Sequence, residues 1–210
     1  MPPCFASYAI LPAAGRSLRM GQPKLLLPWR DATVIEYVLR AWLASQVTQT
    51  IVVLHPEDTR LAEVCRGAGA EVVIAREPPL DMKASIRLGL EHVARQHPRP
   101  EDVWLVAPAD MPTLTPEIVN RVLAANRGSD RQVVVPEYRG RRGHPVLFPW
   151  PLAEQVASLG PSEGLNALVE KGPVTAVPID DPAVLADLDT PDDYASHRVE
   201  HTHDTGIEAS

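Results

Sequence analysis

Five short, nearly unbroken apolar runs constrain the fold of this chain more than any other feature. They lie at residues 8–11 (YAIL), 50–55 (TIVVLH), 71–75 (EVVIA), 102–107 (DVWLVA) and 132–136 (QVVVP). Strands that are apolar on both faces belong inside a parallel sheet, covered by helices above and below. The segments between them supply those helices. From Thr33 onward, Ile35, Val38, Leu39 and Trp42 fall on one stripe of a 3.6-residue period, and 59–66, 82–96 and 116–126 behave similarly. The last of these opens with Pro116, well suited to a first helical turn. Strand–helix alternation at this spacing builds right-handed crossovers. The expected architecture is a three-layer α/β/α sandwich around a Rossmann-like, mostly parallel sheet.

At 210 residues the chain has the length of one domain, expected over 1–197, and the polar, aperiodic stretch at 198–210 is expected to be a disordered tail. A net charge of −7 argues against general nucleic-acid binding, which needs a basic face. Cys4 and Cys65 lack the spacing of a disulfide framework or a thiolate zinc site and fit a reducing compartment. Without a secretory leader or a membrane-spanning apolar run, the expectation is a cytoplasmic protein with no membrane partner.

After Pro136 the pattern changes. EYRGRRGHPVLFPW reads as a hairpin or an extended excursion, followed by a helix over 162–170 and a strand over 174–178. A closing helix is marked by Thr190 at the N-cap, Pro191 in the first turn and Asp193 three residues after the cap.

Ligands of open parallel sheets bind beyond the carboxyl ends of the strands. Residues 13–24 follow the first strand and contain Gly15 and Gly21, with Arg16, Arg19 and Lys24 adding charge. Glycines there let backbone N–H groups approach an anion. The glycine spacing does not match a Walker A loop or a dinucleotide fingerprint, and a serine-hydrolase elbow fails because Arg19 stands where its last glycine belongs. A triphosphate cradle of another kind remains.

The stretch LPAAGRSLRMGQPKLLL resembles the signature L-A-A-G-x-S-x-R-M-G-x-x-K of the MobA-like nucleotidyltransferases, and within them the molybdenum cofactor cytidylyltransferase branch. The resemblance implies a fold of the nucleotide-diphospho-sugar transferase type. It also implies nucleotide binding by Ala13, Ala14, Gly15, Arg16, Ser17, Gly21 and Lys24. Pro12 replaces the usual alanine.

Asp110 ends the run VWLVAPAD, and a carboxylate at a strand end facing a phosphate loop is well placed to hold Mg²⁺. The family carries an aspartate before Met-Pro at this point, usually after glycine; here Ala109 precedes it. The late segment ADLDTPDDY is similar to the family's D-I-D-T-P-E-D-L, which implies Asp189 as a second Mg²⁺ ligand and maps Asp187 onto the segment's first aspartate. Asp110 and Asp189 would then hold the metal while Lys24 and Arg19 stabilise the triphosphate and its leaving group. An acceptor phosphate would attack the α-phosphorus in line.

The segment LDMKASIRLGL resembles the family's G-M-S-S-S-L-x-x-G-L, which lies against the base and sugar, and Ser85 is carried over from it. Asp81, Lys83 and Ala84 depart from that pattern. The family's guanylyltransferase branch usually carries L-A-G-G, whereas this chain has Ala13-Ala14-Gly15; the resemblance thus implies less space for a purine beside the Ala14 methyl group and favours CTP. Gly143-His144-Pro145 matches an element that borders the family's acceptor pocket, and Arg142 beside it suits an anionic acceptor.

The expected activity is a Mg²⁺-dependent transfer of a nucleoside monophosphate, CMP from CTP, to molybdopterin or the molybdenum cofactor, with a molybdoenzyme or its chaperone as a further partner. Two alternatives stay open: transfer to a sugar phosphate or another small phosphate, and a non-catalytic, chaperone-like module that binds a nucleotide or cofactor.

Overall fold

Each of the five apolar runs forms a strand, and a helix lies between each consecutive pair. The computed structural model describes residues 5–15, 23–126 and 132–200, with side chains of the closing helix described through 196. In chain order these form β1 (Ser7–Pro12), the short strands β2 (Pro28–Trp29) and β3 (Ala32–Thr33), α1 (Val34–Leu43), β4 (Gln49–Leu54), α2 (Thr59–Ala68) and β5 (Glu71–Ile74). There follow α3 (Met82–Ala94), β6 (Val103–Val106), α4 (Pro116–Ala125), β7 (Val133–Tyr138), β8 (Arg141–Arg142) and β9 (Val146–Pro149). The chain closes with α5 (Ala153–Val156), α6 (Asn166–Lys171), β10 (Val174–Pro178) and α7 (Pro191–Glu200).

The sheet runs β5–β4–β1–β6–β9–β7–β10, with β8 beside β7. β1 pairs in parallel with β4 and β6, β4 with β5, and β7 with β10. β9 is antiparallel to both β6 and β7. Alternate side chains of β1 feed opposite layers: Ala9 and Leu11 pack with α1 and α4, whereas Tyr8 and Ile10 pack with Ile86, Leu90 and Val93 of α3. The two apolar layers make this a mostly parallel sheet flanked by helices on both faces.

β9 fills the gap between β6 and β7. Trp104 faces Phe148 across the β6–β9 pair, and their rings stack with centroids 4.3 Å apart. Both are fully buried, and such a cross-strand aromatic pair pins the register of an inserted strand. The chain reverses into β8 at Arg139 and Gly140, whose φ values of 47° and 79° suit a two-residue turn with both central residues left-handed. The excursion is therefore a hairpin followed by an antiparallel strand.

The helix expected over 162–170 begins only at Asn166. The Glu163 carboxylate accepts the Gly160 N–H at 2.7 Å, which folds 160–163 into a tight loop instead of a first helical turn. α7 is capped as its sequence implies: Thr190 N–H donates to Asp193 at 2.7 Å and Asp193 N–H donates back to the Thr190 hydroxyl at 3.2 Å. This helix continues through Glu200, and the rest of the expected tail lies outside the described residues. Among the described residues no helix is long and apolar enough to cross a membrane. Cys65 is buried, and burial pushes its thiol up to about 12, so it acts as a packing residue.

Asp102 anchors the far end of the sheet from the ligand-binding edge. It is only 2% exposed. Its carboxylate accepts from the Ala6 N–H at 2.8 Å, the Arg99 N–H at 2.7 Å and the Arg99 guanidinium at 3.0 Å. Burial alone would raise its pKa, but these donors outweigh burial and hold it below the usual carboxylate range. Its stabilising effect is present above the ordinary carboxylate pKa and is lost as pH falls through the lowered folded value. Asp102→Asn is expected to cost about 2–3 kcal/mol at pH 7, because two backbone amides and the Arg99 guanidinium lose an anionic acceptor that is itself buried. Chemical denaturation between pH 7 and 3 checks this: the gap between wild type and variant narrows in acid.

Candidate active site

The turn after each parallel strand falls at one edge of the sheet, and there a cleft of ≈ 680 Å³ opens. Ala13, Ala14 and Gly15 line it from the end of β1, His55 from the end of β4, and Asp81, Met82 and Ser85 from the start of α3. Ala109 and Asp110 follow β6, while Lys24, Asp187 and Asp189 complete the wall. A second cleft of ≈ 590 Å³, between α1 and the 112–116 loop, contains none of the residues predicted for the site.

Three of the charged residues singled out in the sequence, Lys24, Asp110 and Asp189, meet in this cleft. Lys24 Nζ donates to Asp110 Oδ2, and at 3.0 Å to the Leu188 carbonyl. The same ammonium lies 3.7 Å from Asp189 Oδ1. Leu188 N–H donates to the Asp110 carbonyl at 3.1 Å, so backbone as well as side chains tie the late segment to the end of β6. Asp110 is 6% exposed, and its Oδ1 is buried without a hydrogen-bond partner among the described residues. Burial raises its pKa above the ordinary carboxylate value; Lys24 opposes that shift and Asp187 adds to it.

An anionic oxygen that is buried and unpartnered among the described residues is what a divalent cation would complete. Asp110 and Asp189 offer the hard oxygen donors that Mg²⁺ and Mn²⁺ prefer. Among the described residues no group of three or more His, Cys, Asp or Glu forms an all-protein cage. That suits a metal sharing its coordination between one or two carboxylates, phosphate oxygens and water.

Of the remaining expectations, Ser85 lies in the cleft wall and is buried. Its hydroxyl sits 3.4 Å from the Asp81 carbonyl. Arg16, Ser17, Arg19 and Gly21 lie outside the described residues. Arg142, Gly143 and His144 do not line this cleft. Arg142 is exposed in β8, and Gly143 packs against Val184. His144 carries a buried Nδ1 without a partner among the described residues. Burial lowers its pKa against the opposing pull of the Val106 carbonyl and Asp187, so the ring is neutral near pH 7. Asp187, which does line the cleft, links His144 to it electrostatically.

His55 was not among the candidates. It reads in sequence as the last residue of an apolar strand, yet it is 4% exposed and lines the cleft. Its Nδ1 accepts the Glu57 N–H at 3.2 Å, which fixes the ring and leaves any ring proton on Nε2. The available signal was position: a polar residue closing a parallel strand at the ligand-binding edge.

With this geometry in view, comparison with known proteins decides the family. The MobA-like NTP transferase domain matches residues 9–177. The chain belongs to the MobA-like NTP transferase family. It is 25% identical to the molybdenum cofactor cytidylyltransferase of Escherichia coli over 195 residues, 92% of this chain and 96% of that protein. It is 32% identical over 120 residues to a 2-C-methyl-D-erythritol 4-phosphate cytidylyltransferase of Burkholderia multivorans, covering 56% of this chain and 50% of that protein. Among solved structures, Rv0371c of Mycobacterium tuberculosis superposes with a TM-score of 0.75 at 28% identity, covering 94% of this chain and all of that one. A manganese complex of Rv0371c superposes with a TM-score of 0.72 at 29% identity, covering 92% and 98%. This member of the MobA-like family is thus a nucleotidyltransferase, and its family uses a nucleoside triphosphate and a phosphorylated acceptor.

Proposed function

We propose that this enzyme transfers CMP from CTP, with Mg²⁺, to a phosphorylated pterin of the molybdopterin class and releases pyrophosphate. The observation that carries the reading is the convergence of Lys24, Asp110 and Asp189 beside the Ala13–Gly15 turn, in one cleft at the carboxyl edge of the sheet. An oxygen of the acceptor phosphate forms a bond to the α-phosphorus while the bond from that phosphorus to the β-phosphate bridging oxygen breaks. No proton need be removed from a phosphate nucleophile, so the step calls for no general base. Lys24 neutralises charge on the triphosphate, and the backbone of Ala13, Ala14 and Gly15 orients it. A divalent ion held by Asp110 and Asp189 supplies further neutralisation of the phosphate oxygens when bound. The Ala14 methyl group limits the depth available to a base and favours a pyrimidine. On the acceptor side, Arg142 and His144 lie outside the cleft lining, and Asp187 is the cleft residue that interacts electrostatically with His144.

Thermal shift with CTP, GTP, ATP and UTP, each with and without Mg²⁺, tests the nucleotide. A triphosphate at about 100 times its dissociation constant adds about 2.7 kcal/mol to folding stability. The largest shift is expected for CTP with Mg²⁺. A larger shift with GTP sinks the cytidylyl assignment and keeps the nucleotidyltransferase. Pyrophosphate release with a phosphorylated pterin against 2-C-methyl-D-erythritol 4-phosphate then tests the acceptor, and turnover with the latter alone overturns the pterin.

A further inference from the structure

The wall formed by α3 is where the chain departs from the family segment, with Asp81, Lys83 and Ala84 in place of glycine and two serines. The first turn of a helix lacks backbone partners for its N–H groups and is the part most free to fray. In α3 it also lacks an apolar anchor. Leu80 is 99% exposed and Met82 55% exposed, and the core contacts of Ile86, Leu90 and Val93 begin a turn later. Two polar contacts replace that anchor. Asp81 caps the helix by accepting the Ala84 N–H at 2.7 Å. Lys83 Nζ donates to the Gly160 carbonyl at 2.5 Å and the Glu163 carbonyl at 2.9 Å.

The receiving loop is itself braced. Glu163 accepts the Gly160 N–H and lies 3.1 Å from the Lys171 ammonium, so its two carbonyls present a fixed seat for a cation. Lys83 does not line the cleft, whereas its neighbours Asp81, Met82 and Ser85 do.

We propose that Lys83 is a positioning residue for the nucleotide: it locks the first turn of α3 onto the 160–163 loop and so pre-forms the cleft wall that carries Asp81, Met82 and Ser85. This rests on reading the cleft as the nucleotide site. Ordering the wall before binding removes an entropic cost that the ligand would otherwise bear. The departure at position 83 thus exchanges a short side chain at the wall for a long one that braces it from behind.

The test compares wild type, Lys83→Met, Lys83→Arg and Glu163→Ala. Calorimetric titration with CTP and Mg²⁺ is expected to show binding about tenfold weaker in Lys83→Met, the equivalent of ~1.4 kcal/mol. KM is expected to rise by a similar factor while kcat changes less than twofold, and Lys83→Arg is expected to recover most of the loss. Glu163→Ala, which loosens the seat from the other side, is expected to weaken binding as well and to add little in the Lys83→Met background. Hydrogen exchange without ligand is expected to quicken at the amides of 82–85 in Lys83→Met and to stay unchanged in β1 and β4. CTP affinity in Lys83→Met equal to that of wild type, or unchanged exchange at 82–85, overturns the inference. Should Lys83→Met fail to fold, Glu163→Ala carries the same comparison. A wild-type enzyme that binds none of the four triphosphates overturns the nucleotide reading instead, and quickened exchange at 82–85 would still support the brace.

Discussion

Asp110→Asn is expected to lower kcat/KM by about a thousandfold while leaving the protein folded. The change keeps the side chain's shape and removes its charge. Without that charge the cluster loses the anion that Lys24 contacts most closely and the oxygen best placed to ligate a divalent ion. A thousandfold corresponds to ~4 kcal/mol of transition-state stabilisation, the scale expected when one ligand of a phosphate-neutralising site is lost. Stability moves differently. Burial raises the folded-state pKa of Asp110 above its unfolded value, so the folded protein holds this proton more tightly than the unfolded chain does. Wild type therefore loses stability as pH rises through the folded value, and the asparagine variant does not share that loss. Pyrophosphate release over a range of Mg²⁺ concentrations, beside melting curves at pH 5 and pH 8, checks both halves. Near-normal turnover in the variant would remove Asp110 from the catalytic machinery.

Gly143→Ala is expected to destabilise the protein by about 3 kcal/mol and to depress activity even where it stays folded. A β-carbon at this position would sit 2.2 Å from the Val184 carbonyl oxygen and 3.0 Å from the Val184 β-carbon. The obstacle is backbone, so no rotamer change relieves it. The segments are also joined by His144 N–H donating to the Val184 carbonyl at 2.8 Å, and Gly143 N–H donates to the Pro136 carbonyl at 2.8 Å. Val184 belongs to the 3₁₀ turn Pro182–Leu185, just ahead of Asp187 and Asp189. Pushing that turn outward therefore misplaces two carboxylates of the cleft. For a domain of this size the loss corresponds to a melting temperature lower by roughly 10 °C. Differential scanning calorimetry reads the first effect, and kcat/KM measured well below the transition reads the second. An unchanged melting temperature would mean that the two segments are not held in contact.

The glycine was legible in sequence for one reason and needed in the fold for another. Gly143-His144-Pro145 drew attention as an acceptor element, yet the requirement at Gly143 is the close approach of Val184, a contact no local pattern announces. The parallel strands were legible because burial on both faces leaves continuous apolar runs. β9 was not: VLFP is short and sits between prolines, and what makes it a strand is the stack of Phe148 on Trp104, forty-four residues earlier. Lys24, Asp110 and Asp189 were legible through charge and resemblance, whereas His55 was hidden by the apolar run it ends. Asp102 carried no motif at all, because its partners are mostly backbone amides. Asp81 and Lys83 looked like defects in a signature; one is a helix cap and the other a tether.

Lys24 contacts Leu188 and Asp189, so the ion cluster joins segments near opposite ends of the chain. Synthesis proceeds from the N-terminus at roughly 5–20 residues per second, and the last strand of the sheet ends at Pro178. Every strand is thus available before Leu188 and Asp189 leave the ribosome. On the proposed reading, the cluster that receives the triphosphate closes only once this last segment has been made. A chain ending after Pro178, with every described strand present, is expected to fold its sheet and yet show no turnover.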